Sequence, residues 1–341
     1  MGAYFSFLAE VSGALVRHKP FSSSTFKKLQ TKRELTHPIL VTGASSGIGN
    51  HLTKYLAKRG HVVYVTARKD SQLRELQETE NVFPLKLDVR IPQQIRDAVA
   101  CIKKQGKGLY GLVNNAGVGG IGSFFTYRDE ELLDIFDVNV FGPHRMTNAC
   151  LKLLLESKGR IVNIGSQGGT ITAKYYGPYT MTKHALEAYT VALNEELLPY
   201  GVRASIIQAG GIISNIGQNS MQDTLARFER AEPPFREEAE QMLAILKEAP
   251  RQNDSEEESE SNRKPSSPEI VSMAVYDALF SEKPKLRYLV GTKWEGNRVI
   301  NALIEKLLDA NDNPQHNYSR EELIALLDRH LAQRSTRNDG F

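Results

Sequence analysis

Apolar and polar positions follow two different periods along the middle of the chain. An apolar run at residues 38–42 ends in a glycine-rich turn, and residues 46–59 then carry apolar side chains at helical spacing up to Gly60. The next run, 61–66, is β-branched and typical of a strand. The same alternation predicts further strands at 82–89, 109–114, 160–166, 202–207 and 286–290, and further helices at 92–104, 130–155, 179–200 and 268–280.

This alternation predicts the fold class. Strands that alternate with helices form a parallel sheet through right-handed crossovers, and the helices then cover both faces of the sheet. We therefore expect a doubly wound, Rossmann-type α/β sheet of about seven strands over residues 36–296, with N- and C-terminal helical extensions. Ligands of such sheets bind at the carboxyl ends of the strands, so the candidate site residues should cluster there.

Residues 215–267 interrupt the rhythm with a polar, helix-prone stretch and a run of acidic and serine residues at 254–261. Such a run buries too little apolar surface to offset the entropy of ordering it, so the segment is predicted to be a mobile surface insertion. It is either a solvated insertion without a role or, through its flank at 216–246, a lid over the substrate. Beyond it, apolar faces after Gly296 predict a C-terminal helical extension at 297–341.

The N-terminal arm, residues 1–35, differs from the rest of the chain. An apolar run at 4–16 is followed by basic residues, a pattern that favours peripheral contact with a membrane surface. Gly2 and Ser6 also fit the pattern for N-myristoylation, with Gly2 as the acylated residue. The alternative is a packing arm or a disordered tail. No run of the sequence has the length of a membrane-spanning helix, so none is expected.

Composition narrows the class of protein. The chain has 341 residues, of which 40% are hydrophobic and 24% are charged, as in soluble globular proteins. A net charge of +3 is too small to indicate nucleic acid as a partner. The two cysteines, Cys101 and Cys150, form neither a disulfide framework nor a four-cysteine metal site, and they favour a reducing compartment. We therefore expect a cytoplasmic protein without a metal site.

A glycine-rich turn follows the first predicted strand at residues 42–49. Gly43 permits the tight turn, Gly47 lets the backbone approach a pyrophosphate, and Gly49 lets the following helix pack on the sheet. Free N–H groups at the start of that helix attract the phosphates of a dinucleotide. A tight turn without a ligand is the alternative, but the strand before it and the helix after it favour a dinucleotide site. The other residues of the turn predicted to bind the cofactor are Ser45, Ser46 and Ile48.

The end of the second predicted strand indicates which dinucleotide binds. An acidic residue there would bind the ribose 2′-hydroxyl of NAD, but this chain has Ala67 and then Arg68. The planar guanidinium of Arg68 can pair with a 2′-phosphate, so we expect NADP(H) to be favoured over NAD(H). The alternative is that Arg68 and Lys69 are solvated surface charges.

Several residues with reactive or polar side chains stand where a site at the strand ends needs them. Tyr179 and Lys183 are four residues apart, so a phenol and an ammonium group lie on one helix face. Ser166 ends a predicted strand, and Asn139 lies inside the predicted helix before that strand. The segment 114–117 ends the fourth predicted strand. The sequence thus predicts one site built from several strand ends.

With these motifs in this order, residues 36–295 resemble the short-chain dehydrogenase/reductase family. The resemblance implies that Tyr179 is the general acid and base. It implies that Lys183 holds the nicotinamide ribose and, with the positive nicotinamide, lowers the pKa of the phenol from its usual value of about 10. It also implies that Ser166 binds the substrate oxygen and that Asn139 holds a water in a proton relay to Lys183.

The resemblance further implies cofactor contacts at other strand ends. Asp88 would contact the adenine ring, and Asn115 would contact the cofactor after the fourth strand. After the sixth strand, Ile212 would contact the nicotinamide and Ser214 the phosphates. The family commonly has Pro-Gly in this last segment, whereas this chain has Gly-Gly.

Within the family, the segments 109–115, 159–164 and 195–202 are most similar to the retinol and hydroxysteroid dehydrogenase-like branch, which acts on lipophilic alcohols and ketones. The sequence therefore predicts an NADP(H)-dependent oxidoreductase that interconverts an alcohol and its carbonyl on a steroid-, retinoid- or lipid-like molecule. The alternatives are a reductase of a polar sugar, polyol or acyl thioester, and a non-catalytic NADP(H)-binding sensor. The resemblance also implies a homo-oligomer formed through the helices at 130–155 and 179–200.

Overall fold

Seven parallel strands form the sheet of the computed structural model, which describes residues 36–247 and 264–339. Their order is β3-β2-β1-β4-β5-β6-β7, so the predicted doubly wound α/β sheet is confirmed. The strands are β1 (Pro38–Val41), β2 (Val62–Ala67), β3 (Val82–Lys86), β4 (Gly111–Asn114), β5 (Arg160–Ile164), β6 (Arg203–Ala209) and β7 (Arg287–Val290).

The order of the strands reverses between β1 and β4. Leu40 of β1 is opposite Tyr64 of β2 on one side and opposite Leu112 of β4 on the other. The chain builds the sheet outward from β1 to β3, crosses back, and then builds outward from β4 to β7. Loops that leave β1 and β4 therefore diverge at the carboxyl edge of the sheet, which is the point where doubly wound folds bind their ligands.

Helices cover both faces of this sheet. Most of the predicted helices are present with ends shifted by a few residues. One helix, α2, was not predicted, because its eight residues hold only two apolar side chains, Leu73 and Leu76. In the described ranges the helices are α1 (Gly47–Ala57), α2 (Asp70–Gln77), α3 (Pro92–Lys104), α4 (Asp129–Phe136), α5 (Gly142–Ser157), α6 (Gly177–Leu197), α7 (Ile216–Glu229), α8 (Arg236–Lys247), α9 (Pro268–Phe280), α10 (Lys293–Asn311) and α11 (Arg320–Asp339).

The core consists of two layers, one on each face of the sheet. Ile39 and Val41 of β1 pack with residues of α1 and α9, whereas Leu40 between them packs with residues of α3 and α5, because successive side chains of a strand point to opposite faces. Leu56 of α1 and Met146 of α5 are fully buried, one in each layer. Burying a side chain of this size contributes about 1.5–3 kcal/mol, so both layers hold the strand ends in place.

The predicted helix at 130–155 is divided in the structure. A wider π-helical turn at Asp137–Phe141 separates α4 from α5. Pro143 lies in the first turn of α5 and has no N–H to donate to the carbonyl of Asn139 four residues earlier. The turn therefore sets Asn139 apart from a regular helix.

The helix-prone part of the segment 215–267 is helical in the structure. Residues 216–247 contain α7 and α8, and the choice between a lid and an insertion without a role remains a prediction. Phe228 of α7 and Ala239 of α8 are buried against each other's helices, which supplies the packing that the polar sequence did not suggest. The acidic run at 254–261 lies outside the described residues.

The C-terminal extension begins earlier than predicted. Thr292 caps α10, whose first residue is Lys293, so the boundary lies before 293 rather than at 297. The N-terminal arm at 1–35 lies outside the described residues, and the predictions about membrane contact and acylation of Gly2 remain predictions. None of the helices in the two described ranges combines the length and the apolar character that crossing a bilayer requires.

Candidate active site

The glycine-rich turn between β1 and α1 has no room for a side chain at its three glycine positions. Gly43 has φ +64°, and a Cβ on it would lie 2.8 Å from the Cα of Ala116. Gly47 has φ +53°, and a Cβ on it would lie 2.9 Å from the Cβ of Ser214. A Cβ at Gly49 would overlap the side-chain amide of the residue after β4 and the carbonyl of Gly43. The turn is therefore packed between the loops after β4 and β6 and needs glycine at these positions.

The start of α1 can receive a negatively charged group. Ser46 is the N-cap residue in an extended conformation, and within the described residues its side chain makes no capping hydrogen bond. The first turn of α1 contains no acidic residue. The N–H groups there carry the positive end of the helix dipole, so the turn fits the pyrophosphate of a dinucleotide. Ser45 and Ile48 belong to the same turn and are partly exposed.

Asn115 supports the turn from the next loop. Its Nδ2 donates hydrogen bonds to the carbonyl oxygens of Thr42 at 2.9 Å and Gly43 at 3.0 Å. The hydroxyl oxygen of Thr42 in return accepts from the backbone N–H groups of Asn115 and Ala116, both at 3.0 Å. The amide of Asn115 thus supports the glycine-rich turn, and the cofactor contact predicted for this residue remains a prediction.

Arg68, predicted to select the dinucleotide, follows β2, and Asp88, predicted to contact the adenine ring, follows β3. Arg68 is exposed and forms no ion pair with any described residue. The carboxylate of Asp88 accepts hydrogen bonds from Arg90, with a distance of 2.8 Å to Nη2. Hydrogen bonding from Arg90 lowers the pKa of Asp88, and the charge of Arg68 contributes in the same direction. Asp88 is therefore already paired, so its predicted contact with adenine remains a prediction.

Ser166 and Tyr179 face the same small volume. The N–H of Gly168 donates to the hydroxyl oxygen of Ser166 at 3.0 Å. A Cβ on Gly168 would lie 3.3 Å from that oxygen and 3.6 Å from Cε1 of the Tyr179 ring. Residue 168 leaves little room for a side chain, because a Cβ there would also lie 3.1 Å from Cγ2 of Thr180. Ser166 also forms a hydrogen bond with the hydroxyl of Tyr179, so the two hydroxyl groups lie together.

Lys183 lies one turn after Tyr179 on α6 and is buried. Its Nζ donates to the carbonyl oxygen of Ile164 at 2.9 Å and lies 5.7 Å from the centre of the Tyr179 ring. Burial lowers the pKa of Lys183 to about 8. The ammonium group thus titrates close to physiological pH.

The acidity of Tyr179 depends on its burial. Burial raises the pKa of its phenol above the usual value, and a hydrogen bond from Ser166 opposes this without reversing it. Desolvation penalises the charged form of each side chain, and the lowering predicted from Lys183 together with the positive nicotinamide remains a prediction. The phenol is protonated at neutral pH.

Asn139 fixes the geometry between a loop and α6. Its Oδ1 accepts from the N–H of Val118 at 2.9 Å, and its Nδ2 donates to the carbonyl of Val118 at 2.9 Å and to the hydroxyl of Thr182 at 3.1 Å. The amide is thus engaged, and the water-holding role predicted for Asn139 remains a prediction.

The segment after β6 reaches the glycine-rich turn. Ser214 lies against Gly47, and Ile212 forms an isolated parallel bridge with Ser266. Ser214 therefore lies beside the turn that starts α1, and the cofactor contacts predicted for Ile212 and Ser214 remain predictions. Sequence reasoning missed Glu295, which binds this segment from α10; the capping pattern of Thr292 followed by Glu295 three positions later was its only signal.

An apolar cavity of about 450 Å³ lies beside the first turn of α6. Gly177, two residues before Tyr179, is part of its wall. Lys174 and Glu238 are also part of its lining and pair with each other, which joins the loop before α6 to α8. Its aromatic lining residues are Phe124, Phe125, Tyr175, Phe228 and Phe235. No group of three or more His, Cys, Asp or Glu side chains in the described ranges could hold a metal ion.

Residues 37–225 match the family model described as short chain dehydrogenase. The chain belongs to the short-chain dehydrogenase family. This short-chain dehydrogenase is 38% identical over 204 residues to estradiol 17-beta-dehydrogenase 2 of Mus musculus, in a match that covers 56% of this chain and 52% of the relative. It is 33% identical over 186 residues to the mitochondrial D-beta-hydroxybutyrate dehydrogenase of Rattus norvegicus, covering 52% and 54%.

The chain spans about half the length of the curated relatives it matches. Among solved structures, it is similar to a short-chain dehydrogenase from Streptomyces avermitilis, with a TM-score of 0.65 and 27% sequence identity. That likeness covers 81% of this chain and 95% of the other chain. The predicted resemblance to the family and to its hydroxysteroid dehydrogenase-like members is thus confirmed.

Proposed function

We propose that this short-chain dehydrogenase is an NADP(H)-dependent oxidoreductase that interconverts an alcohol and its carbonyl. The observation that carries the proposal is the grouping of three side chains: Ser166 is hydrogen-bonded to Tyr179, and Nζ of Lys183 lies 5.7 Å from the centre of the Tyr179 ring. The bound nicotinamide supplies or accepts the hydride. The residues of the chain have to bind the oxygen, hold the proton and orient the carbon for that transfer.

Each residue has a role that follows from its hydrogen bonds. The oxygen of Ser166 accepts from Gly168, so its hydroxyl hydrogen, which bonds to Tyr179 here, can turn to a substrate oxygen placed between them. The neutral phenol of Tyr179 donates its proton to that oxygen during reduction and takes it back during oxidation. Lys183 remains largely protonated below its pKa of about 8, so it can donate to ribose hydroxyls and stabilise a developing phenolate.

The residues at the end of β2 favour NADP(H). Arg68 is an exposed guanidinium without an ion pair among the described residues, and Ala67 stands where an acid would bind the 2′-hydroxyl of NAD. A 2′-phosphate would provide Arg68 with a bidentate partner.

A lipophilic substrate accounts for the cavity beside α6. Phe124, Phe228 and Phe235 line a space of about 450 Å³, which is within the size range of small-molecule sites. One of the similar proteins is named for estradiol, a lipophilic alcohol. We infer that the apolar body of the substrate lies along this cavity while its oxygen reaches Tyr179. Reduction of a sugar, polyol or acyl thioester, or sensing without turnover, is the alternative.

The test compares the wild type with Tyr179→Phe and, as a matched control, Tyr200→Phe, which removes the same hydroxyl from an exposed ring. NADPH oxidation is followed with steroid and retinoid carbonyls and with polar carbonyls. We expect turnover of the lipophilic set by the wild type and the control, and at least a hundredfold loss in Tyr179→Phe with unchanged NADPH affinity. Equal turnover in Tyr179→Phe, or NADPH binding without turnover of any carbonyl by the wild type, contradicts the proposal.

The N-terminal arm suggests where the enzyme works. We infer a cytoplasmic enzyme in peripheral contact with a membrane through residues 1–35, which join an apolar run to basic residues. Fractionation of cells that express the full chain or residues 36–341 tests this. The full chain should sediment with membranes and the shortened chain should not; equal distribution of the two contradicts the inference.

A further inference from the structure

We propose that Glu295 is a positioning residue for the nicotinamide, acting from the C-terminal helix α10 on the segment after β6. The proposal rests on the proposed function, because it assumes that Ile212 contacts the nicotinamide. The observation that motivates it is a hydrogen bond of 2.7 Å from the N–H of Gly211, the residue directly before Ile212, to Oε1 of Glu295.

Glu295 is almost fully buried, with 2% of its surface exposed. Its Oε2 accepts from the backbone N–H of Thr292 at 3.0 Å, so the two carboxylate oxygens serve two different segments. The carboxylate also lies against two glycines, because a Cβ on either Gly210 or Gly291 would overlap Oε2. A buried carboxylate that accepts from backbone N–H groups forms charge-assisted bonds with a fixed geometry.

The segment that Glu295 binds would otherwise be poorly fixed. Two successive glycines, Gly210 and Gly211, stand where the family commonly has Pro-Gly, and glycine is the residue with the greatest backbone freedom. The N–H of Gly210 donates to the carbonyl of Val290 at 2.8 Å, which holds only the beginning of the segment. A bond from outside the segment is therefore needed to fix the backbone one residue before Ile212.

The hydrogen bonds on either side of Ile212 are made by its two neighbours, not by its own backbone groups. The N–H of Ser266 donates to the carbonyl of Gly211 at 2.8 Å, and the N–H of Ile213 donates to the carbonyl of Ser266 at 2.9 Å. With Glu295, these bonds hold both neighbours of Ile212 and do not use its own N–H or carbonyl. The backbone groups of Ile212 are thus presented by a fixed frame, which is what a contact with a carboxamide requires.

Glu295 also lies close to the residue that follows the candidate substrate-binding serine. A Cβ on Gly210 or on Gly291 would meet Nε2 of Gln167 at 2.8 Å as well as the Glu295 carboxylate. Gln167 donates to the carbonyl of Val290 at 3.3 Å. One cluster at the end of β7 therefore supports the nicotinamide segment and adjoins Ser166.

The test uses the full chain and separates the nicotinamide half of the cofactor from the adenosine half. The probes are NADPH and 2′,5′-ADP, which lacks the nicotinamide. Trp294, the one tryptophan of the chain, reports binding of NADPH by energy transfer, and calorimetry measures both ligands. The variants are Glu295→Gln, which keeps the size but removes the charge, and Glu295→Asp, which keeps the charge but is too short to reach both segments.

Two controls isolate the bond to Gly211. Thr292→Ala removes the hydroxyl that accepts from the N–H of Glu295 at 3.2 Å, so it weakens the cap of α10 without touching Gly211. Glu305→Gln makes the same change as Glu295→Gln at an exposed position of the same helix.

We expect both Glu295 variants to weaken NADPH binding about tenfold and to lower kcat/KM by at least the same factor, as the loss of one charge-assisted bond predicts. Binding of 2′,5′-ADP should change less than twofold in every variant, and both controls should resemble the wild type. Equal weakening of both ligands, an effect of Thr292→Ala as large as that of Glu295→Gln, or unchanged NADPH binding overturns the proposal. A wild type that binds neither ligand instead overturns the proposed function. If Glu295→Gln does not fold, Glu295→Asp decides alone.

Discussion

Lys183 donates a hydrogen bond of 2.9 Å to the carbonyl oxygen of Ile164, the last residue of β5. This bond ties α6 to the strand that leads to Ser166, so the amine and the two hydroxyl groups share one rigid frame. The same burial that fixes the amine also lowers its pKa to about 8. The burial of Lys183 therefore lowers the free energy of unfolding by an amount that depends on pH.

We predict that the loss of the proton from folded Lys183 increases the free energy of unfolding as the pH rises above 8. Between pH 8 and 10, an unfolded lysine keeps a proton that folded Lys183 has lost, so the free energy of unfolding increases by up to about 1.4 kcal/mol per pH unit. The measurement is urea unfolding of the wild type and of Lys183→Met at pH 7, 8, 9 and 10. The difference between the two should grow with pH from 8 to 10; a difference independent of pH contradicts the assignment of the lowered pKa.

We predict that Gly43→Ala destabilises the protein more than Gly106→Ala. The two glycines have nearly the same φ, +64° and +67°, so both substitutions carry the strain of a left-handed conformation, about 1–2 kcal/mol. A Cβ at Gly106 has nothing within 4 Å, whereas a Cβ at Gly43 meets Ala116 at 2.8 Å. The clash should add about 1–3 kcal/mol to the loss of unfolding free energy.

The same pair of variants also tests the cofactor site. NADPH affinity should fall only in Gly43→Ala, since only this residue belongs to the turn before α1. An equal loss of unfolding free energy in the two variants would show that the close contact of residue 43 with Ala116 does not contribute to stability.

We predict that Arg68→Ala reduces NADPH affinity by at least tenfold and leaves NADH affinity within twofold. The loss of one charge-assisted pair to the 2′-phosphate accounts for this size. Arg74→Ala, which removes an exposed guanidinium from α2, is the control and should change neither affinity. Calorimetry with both nucleotides measures the ratio. Parallel changes for NADPH and NADH would mean that Arg68 does not read the 2′-position.

We predict that Glu131→Gln is strongly destabilising. The carboxylate pairs with Arg227 at 3.2 Å and Arg230 at 2.6 Å, which joins α7 to α4. The side chain of Arg227 is 8% exposed, so removing its partner leaves a buried charge uncompensated, at a cost of about 3–5 kcal/mol. The control is Glu229→Gln, which breaks an exposed pair with Lys247 and should change the free energy of unfolding very little.

We predict that lowering the pH weakens the ion pairs of Glu131 with Arg227 and Arg230. Burial acts to raise the pKa of Glu131, but the N–H of Arg128 and the neighbouring guanidinium groups outweigh it and hold that pKa below its usual value. Its stabilisation is therefore complete above the unfolded pKa and is lost as the pH falls through the folded pKa. Unfolding curves from pH 6 to pH 3 should converge for the wild type and Glu131→Gln; curves that stay parallel would contradict this.

The features that could be predicted from the sequence are those in which a local pattern determines the structure. Buried strands such as β1 and β4 are continuous apolar runs, and the glycines of the first turn are required by its own backbone, so both were predicted correctly. The packing of α7 against α8 could not be predicted from their helix-prone sequence, because much of their surface is polar and the buried contacts form only between the two helices. Glu295 was missed because its partner, Gly211, lies far away in the sequence.

In the site, too, the positions of the residues could be predicted from the sequence but their acidities could not. The spacing of Tyr179 and Lys183 predicts that they share a helix face, and α6 contains both. Their acidities depend on burial, which the spacing does not report and which raises the pKa of Tyr179. The engaged amides of Asn115 and Asn139 likewise depend on loops that come together only in the folded chain.

The segment after β6 runs to Ser214, beside the glycine-rich turn, and the chain comes back to this segment at Ser266, which pairs with Ile212. Departure and return are thus separated by only two residues along the same segment. The length and composition of everything between them can change through evolution without altering any strand register, because both ends are anchored to one short piece of backbone. Substrate choice and catalytic machinery can therefore diverge independently in this protein, and this junction is a natural place to exchange specificity between relatives.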